Sequence, residues 1–258
     1  QLDAKITTVS GDKMKMCIFF YLRNYITVLL CVVIMQLFSQ TNLAIVREDG
    51  QYPYWISLPH DTIMATNPPV LVFLHGRSLS GTDIERVRKY GVIHEIDKGR
   101  NVPAIVIAPQ LPNGPWNPSK VDQIVESVIA KYNADRTRLY VAGMSLGGYG
   151  TLHYCGTFPD KVAAAVALCG GGNEKDAKNL AKVPLWIQHG DRDRAVPKSE
   201  SDKIVAAIKR VNGKNVTYTV VKGADHGALE RVFRSDEMYN WLFKHVKKEE
   251  SSSHSISN

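Results

Sequence analysis

From residue 53 to residue 248, short β-branched or aromatic runs closed by Gly or Pro alternate with helical stretches. This alternation restricts the fold more than any other feature of the chain. The runs are PYWISLP (53–59), VLVFLHG (70–76), PAIVIAP (103–109), RLYVAG (138–143), AAAVALCGG (163–171), PLWIQHG (184–190) and VTYTVVKG (216–223). Between them, KVDQIVESVIAKYN (120–133) sets Val121, Ile124, Val128 and Ile129 on one face. SDKIVAAIKRV (201–211) does the same with Ile204, Val205 and Ile208, and DEMYNWLFKHVKK (236–248) closes the chain. Strands interleaved with helices of this length predict an α/β domain around a mostly parallel sheet, with helices on both faces. No repeat or linker divides residues 45–248, which read as a single domain. The tail 249–258 is Ser-rich with nothing to bury, and is expected to be disordered.

The first 44 residues follow another pattern. YITVLLCVVIMQLF (25–38) is almost wholly apolar and comes after Lys13, Lys15 and Arg23, the order of an export signal. The run is too short for a spanning helix. The expectation is therefore a signal starting at Met14 or Met16, cut between Ser39 and Ala44, so that the mature chain is periplasmic or secreted without stable membrane insertion. An uncleaved anchor is the rival. Residues 1–13 precede any Met and stay outside the fold argument.

Lys and Arg number 32 against 25 Asp and Glu, a net charge of +7, of which the first 44 residues carry +2 (Lys5, Lys13, Lys15 and Arg23 against Asp3 and Asp12). The remaining +5 is spread without a basic block, and this argues against a nucleic-acid partner. Of the 4 cysteines, Cys17 and Cys31 fall in the signal. Cys155 and Cys169 sit in apolar runs and read as small buried hydrophobes, although a bridge is open to them in an exported chain. Neither has the spacing of a zinc or thiol-redox site, and neither a metal nor an organic cofactor is expected.

The chemistry is carried by Gly143-Met144-Ser145-Leu146-Gly147. This is G-x-S-x-G placed directly after the strand RLYVA and before the helical stretch LGGYGTLHYC, the setting of a nucleophile elbow. Such a turn lifts the Ser145 hydroxyl above the sheet edge, where the Leu146 amide can donate to an oxyanion. A serine hydroxyl needs a histidine to take its proton and an acid to fix that histidine. Downstream, HGDRDRAVP follows the strand PLWIQ, and KGADHG with His226 follows the strand VTYTVV. Asp191 and Asp193 both compete for the acid, and Asp225 adjoins His226. The other histidines read as structural or solvated, with His75 and His189 bonding loop backbone. A second oxyanion donor is expected after VLVFL at the Arg77 amide, whose guanidinium either reaches a substrate carboxylate or is solvated at the rim. Trp116 reads either as an aromatic wall for an aryl or sugar-linked acyl group or as packing.

LVFLHGR, APQLPNGPW, DRTRLYVAGMSLGGYGTLHYC, ALCGGGN, HGDRDRAVP and GADHG together resemble the α/β-hydrolase superfamily. The similarity is to the branch of phospholipase/carboxylesterase-like and dienelactone-hydrolase-like esterases, and it runs from about Tyr52 to Lys247. The resemblance implies an α/β-hydrolase fold. It makes Asp193, the Asp before x-x-V-P, the triad acid with Ser145 and His226, and puts the oxyanion donors on Arg77 and Leu146. It also implies that Gln110 and Trp116 border the acyl pocket. Residues 170–183 are the only stretch eligible as a cover, so no large lid is expected and an open cleft is favoured over an interface-dependent lipase. The expectation is a serine esterase for short acyl or aromatic esters, small or polysaccharide-linked. A serine peptidase on the same triad and a non-catalytic binding module are the alternatives.

Overall fold

All seven expected runs form strands, and an eighth precedes them. In chain order these are β1 (Leu43–Val46), β2 (Tyr54–Ser57), β3 (Val70–Leu74), β4 (Ile105–Pro109), β5 (Leu139–Met144), β6 (Val162–Leu168), β7 (Leu185–Gly190) and β8 (Val216–Val221). The helices are α1 (Val92–Asp97), α2 (Pro118–Tyr132), α3 (Leu146–Thr157), α4 (Ala177–Leu180), α5 (Ser199–Arg210) and α6 (Asp236–Phe243), with 3-10 turns between them. The structure, a computed structural model, describes residues 43–59 and 66–248, within the compact unit Thr41–Asn258. The expected export signal and the Ser-rich tail lie outside the described residues. Among the described residues no helix is long and apolar enough to cross a membrane.

The sheet runs β1-β2-β4-β3-β5-β6-β7-β8. β1 and β2 are antiparallel to their neighbours, and every pair from β4 to β8 is parallel. Because successive side chains of a strand point to opposite faces, β3 feeds two cores. Val70, Val72 and Leu74 meet α2, α3 and α5 on one side. Leu71 and Phe73 meet α1 and α6 on the other. Burial on both faces is why β3 to β7 read as continuous apolar runs rather than alternating ones.

The expected stripes are the buried ones, Val121, Ile124, Val128 and Ile129 on α2 and Ile204, Val205 and Ile208 on α5. α2 begins where Asn117 accepts from the Ser119 and Lys120 amides, with Pro118 in its first turn, and ends at Asn133 in the left-handed region. α6 stops at Phe243, five residues short of the expected 248, because Lys247 instead donates its amide to Thr137 O.

β1 overlaps the stretch read as signal. Leu43 and Ala44 pair with Ser57 and Ile56, so the sheet begins two residues before the expected domain start. LAIV follows the polar stretch Ser39-Gln40-Thr41-Asn42 and falls at the expected cleavage region, which hides its start. A cut after Ala44 would remove two of its four pairings. Cys155 and Cys169 are both free and buried, which settles their bridging in favour of packing.

Candidate active site

β5 passes into α3 through Ser145, whose backbone sits at φ 59° and ψ −122°. A non-glycine residue held there stores about 1–3 kcal/mol of strain, tolerated only where packing dictates it. The packing is tight: a Cβ on Gly147 would run into Leu74 O, and one on Gly143 into Gly147 O. The loop after β3 lies against the same turn, since a Cβ on Gly76 would come within 3.3 Å of the Ser145 Cβ. Arg77 and Leu146 therefore open two helical turns side by side, the 3-10 turn Arg77–Leu79 and α3. First-turn amides lack intrahelical acceptors and carry the positive end of the helix dipole.

His226 follows β8, and its Nδ1 lies 2.6 Å from Asp193 Oδ2 in the turn after β7. Asp193 Oδ1 accepts from the Ala195 and Val196 amides, each at 2.9 Å, and its side chain is wholly buried. Burial alone would raise the carboxyl. The hydrogen bonds from the Val196 amide, His226 and the Ala195 amide outweigh that and hold it below the usual carboxylate range. The two other acids are engaged elsewhere: Asp191 accepts from the Gly223 amide at 2.6 Å, and Asp225 from the Ala228 amide at 2.9 Å.

Ser145, His226, Arg77 and Leu146 line one open cleft of about 600 Å³, within the size range of small-molecule sites. Tyr90, Tyr149 and Glu230 are among the other residues of its walls. None of these three carries a motif. Tyr149, four residues beyond Ser145 on α3, was legible from helical periodicity alone. Tyr90 accepts from the Gly76 amide at 2.7 Å and so fixes the loop that presents Arg77.

Neither residue expected to border the acyl pocket lines this cleft. Gln110 is 1% exposed, absent from the cleft, and its Nε2 donates to Leu79 O at 2.8 Å and Gly81 O at 2.9 Å. It braces the loop behind Arg77. Trp116 is 3% exposed and donates Nε1 to His75 O at 3.1 Å. Only its edge reaches a second depression of about 380 Å³, which shares Leu146 and Tyr149 with the cleft. Gln110 is thereby held in the interior, whereas Trp116 is packing that leaves an edge open to the depression.

His75 is the hub of this loop. Nδ1 lies 2.8 Å from Gly76 O, and Nε2 accepts from the Leu111 amide at 3.0 Å, so the neutral ring fits both contacts and a second ring proton would face a donor. Burial lowers its pKa from 6.5 to about 4. Because the folded value is depressed, the stability His75 contributes is complete above about pH 6.5 and is lost as pH falls toward 4, about 3 kcal/mol in all. Urea unfolding midpoints should fall across that interval in the wild type and fall less in His75→Gln. Parallel curves would show that His75 is not the group responsible.

Among the described residues one cluster has the makings of a metal site: Cys169, Asp193 and His226. Asp193 Oδ2 is already taken by His226, and burial, with the nearby Asp193 charge, pushes the Cys169 thiol up so that it keeps its proton. The arrangement suits proton handling by a serine nucleophile better than metal ligation.

Residues 101–247, more than half of the chain, match the dienelactone hydrolase family. A bifunctional acetylxylan esterase/xylanase, XynS20E, from Neocallimastix patriciarum is 36% identical over 74 residues, 28% of this chain and 11% of that protein. A solved thermostable esterase superposes with a TM-score of 0.68 at 29% identity, covering 79% of this chain and 62% of the other. The chain thus spans less than two thirds of either relative. The feruloyl esterase module of Clostridium thermocellum shares the fold, with a TM-score of 0.58, 18% identity and coverage of 78% and 88%. With an eight-stranded, mostly parallel sheet, helices on both faces and an elbow at the end of β5, the fold is that of the α/β-hydrolases, and the chain belongs to the dienelactone hydrolase family.

Proposed function

We propose that this protein is an exported serine esterase that hydrolyses carboxylic esters through an acyl-enzyme. The observation that carries the reading is a single open cleft lined by Ser145 and His226, with His226 Nδ1 2.6 Å from Asp193 Oδ2. Ser145 Oγ attacks the ester carbonyl while His226 Nε2 takes its proton. The Arg77 and Leu146 amides receive the oxyanion, and the alcohol leaves with the proton from His226. Water, deprotonated by His226, then releases the acid and restores Ser145. Asp193 holds His226 with Nδ1–H toward the acid and Nε2 toward the serine.

Short acyl and aromatic esters, free or carried on polysaccharide, are the proposed substrates. Among the described residues the cleft has no cover: residues 170–183 are packed down by buried Ala177 and Leu180 against α3 and α5, so a long acyl chain would stay in water. The second depression beyond Leu146 and Tyr149, with the Trp116 edge and exposed His153 and Asn173, offers room and polar contacts for a sugar carrying the ester. Similarity to a stretch of a protein named for acetylxylan ester hydrolysis points the same way. Export rests on the apolar run Tyr25–Phe38 behind Lys13, Lys15 and Arg23.

The test is a panel of p-nitrophenyl esters from acetate to long chains, feruloyl and acetylated-sugar esters and a peptide anilide, beside labelling with a fluorophosphonate. The expected result is turnover of short and aromatic esters well ahead of long-chain esters and anilide. A single adduct should map to the tryptic peptide 139–161, which contains Ser145. A folded protein that neither labels nor turns over any ester would be a binding module, and anilide turnover matching ester turnover would make it a peptidase.

A further inference from the structure

Two histidines meet the carboxylate of Asp193, and only one of them reaches the cleft. Asp193 Oδ2 lies 2.6 Å from His226 Nδ1 and 3.3 Å from His189 Nε2. His189 sits near the end of β7, four residues before the acid, and its side chain is wholly buried. It is absent from the cleft lining and so touches no substrate there.

Its ring is fixed at both ends. Nε2 lies 2.9 Å from Val196 O, and Nδ1 lies 2.7 Å from Ser201 Oγ, which in turn stands 2.6 Å from Gly170 O. Val196 O can only accept, so Nε2 carries a hydrogen and donates to Val196 O, with Asp193 Oδ2 beside it at 3.3 Å. Val196 also supplies one of the amides that hold Asp193 Oδ1. A single side chain thus lies against the acid at Oδ2 and bonds the Val196 backbone that clamps Oδ1. Ser201 belongs to α5, so the contact at Nδ1 ties the ring to a further element.

We propose that His189 is a positioning residue for the triad acid, setting the direction of Asp193 Oδ2 so that His226 keeps Nδ1–H toward the carboxylate and Nε2 toward Ser145. This rests on the reading of Ser145, His226 and Asp193 as a triad. A buried histidine that served only as a strut would affect stability; one that aims the acid affects turnover and the His226 hydrogen bond.

The experiment compares His189→Leu, which removes both ring nitrogens, with His189→Gln, whose side-chain amide nitrogen reaches the Nε2 position and keeps a donor there. With p-nitrophenyl acetate, His189→Leu should lower kcat about 10- to 100-fold with KM within about twofold, and His189→Gln should recover most of that loss. The downfield proton NMR resonance of the hydrogen between His226 and Asp193 requires no turnover. It should shift or vanish in His189→Leu and persist in His189→Gln, with thermal melts confirming that both variants fold. A folded His189→Leu that keeps this resonance in place and kcat within about twofold overturns the proposal. So does a loss in both variants that merely follows their melting temperatures. A wild type that neither labels nor turns over ester would sink the triad reading, whereas the NMR comparison would still decide whether His189 holds the Asp193–His226 pair.

Discussion

Exchange of Ser145 for alanine should lower kcat on p-nitrophenyl acetate by about 10⁶-fold, leave KM within a few-fold and abolish fluorophosphonate labelling. The size of the loss follows from what the hydroxyl does. In the proposed mechanism it supplies the bond that forms in the first step, and without it His226 has no proton to move and no acyl-enzyme forms. The Arg77 and Leu146 amides remain, so any residual catalysis would be oxyanion stabilisation of direct water attack, a small remainder. The fold should be unaffected, because Ser145 is half-buried and its side chain makes no hydrogen bond that caps α3. Turnover within about tenfold of the wild type would mean that another group is the nucleophile.

Asp193→Asn should cost about 10⁴-fold in kcat, whereas Asp191→Asn should stay within about threefold of the wild type. The asymmetry comes from the turn. Asp193 Oδ1 accepts from the Ala195 and Val196 amides, so the oxygen of an asparagine takes that place and its NH₂ turns toward His226 Nδ1. Facing a donor, Nδ1 gives up its hydrogen, Nε2 carries it instead, and the ring can no longer accept the proton of Ser145. At Asp191 the only such contact is acceptance from the Gly223 amide, which an asparagine oxygen performs equally well. Stopped-flow or steady-state kinetics of the two variants decide the matter, and equal losses would remove Asp193 from its role.

Much of this arrangement follows from local sequence. Continuous apolar runs specify strands buried on both faces, and the Gly143-x-Ser145-x-Gly147 spacing specifies a turn that only small flanking residues allow. Acids and a histidine placed just after strand ends fall on the edge of a parallel sheet where ligands gather. These are consequences of backbone sterics and of a two-residue side-chain period, both legible along the chain.

What only the tertiary structure decided depends on contacts between distant segments. Asp191 and Asp193 are two residues apart beyond one strand, and only the turn shows which of the two carboxylates meets His226, 33 residues away. β1 was hidden because a four-residue strand at the expected cleavage region gains its identity only by pairing with β2. Gln110 borders the acyl pocket by resemblance and Trp116 reads as wall or packing, and only the loops around Leu79 and His75, 31 and 41 residues distant, show that their polar atoms bond in the interior. The same holds for His189, a backbone partner by sequence and a neighbour of Asp193 in space. Sequence determined which residues could do the chemistry; close packing of loops from separate strands determined which of them face one another, because hydrogen bonds are satisfied across the fold rather than along the chain.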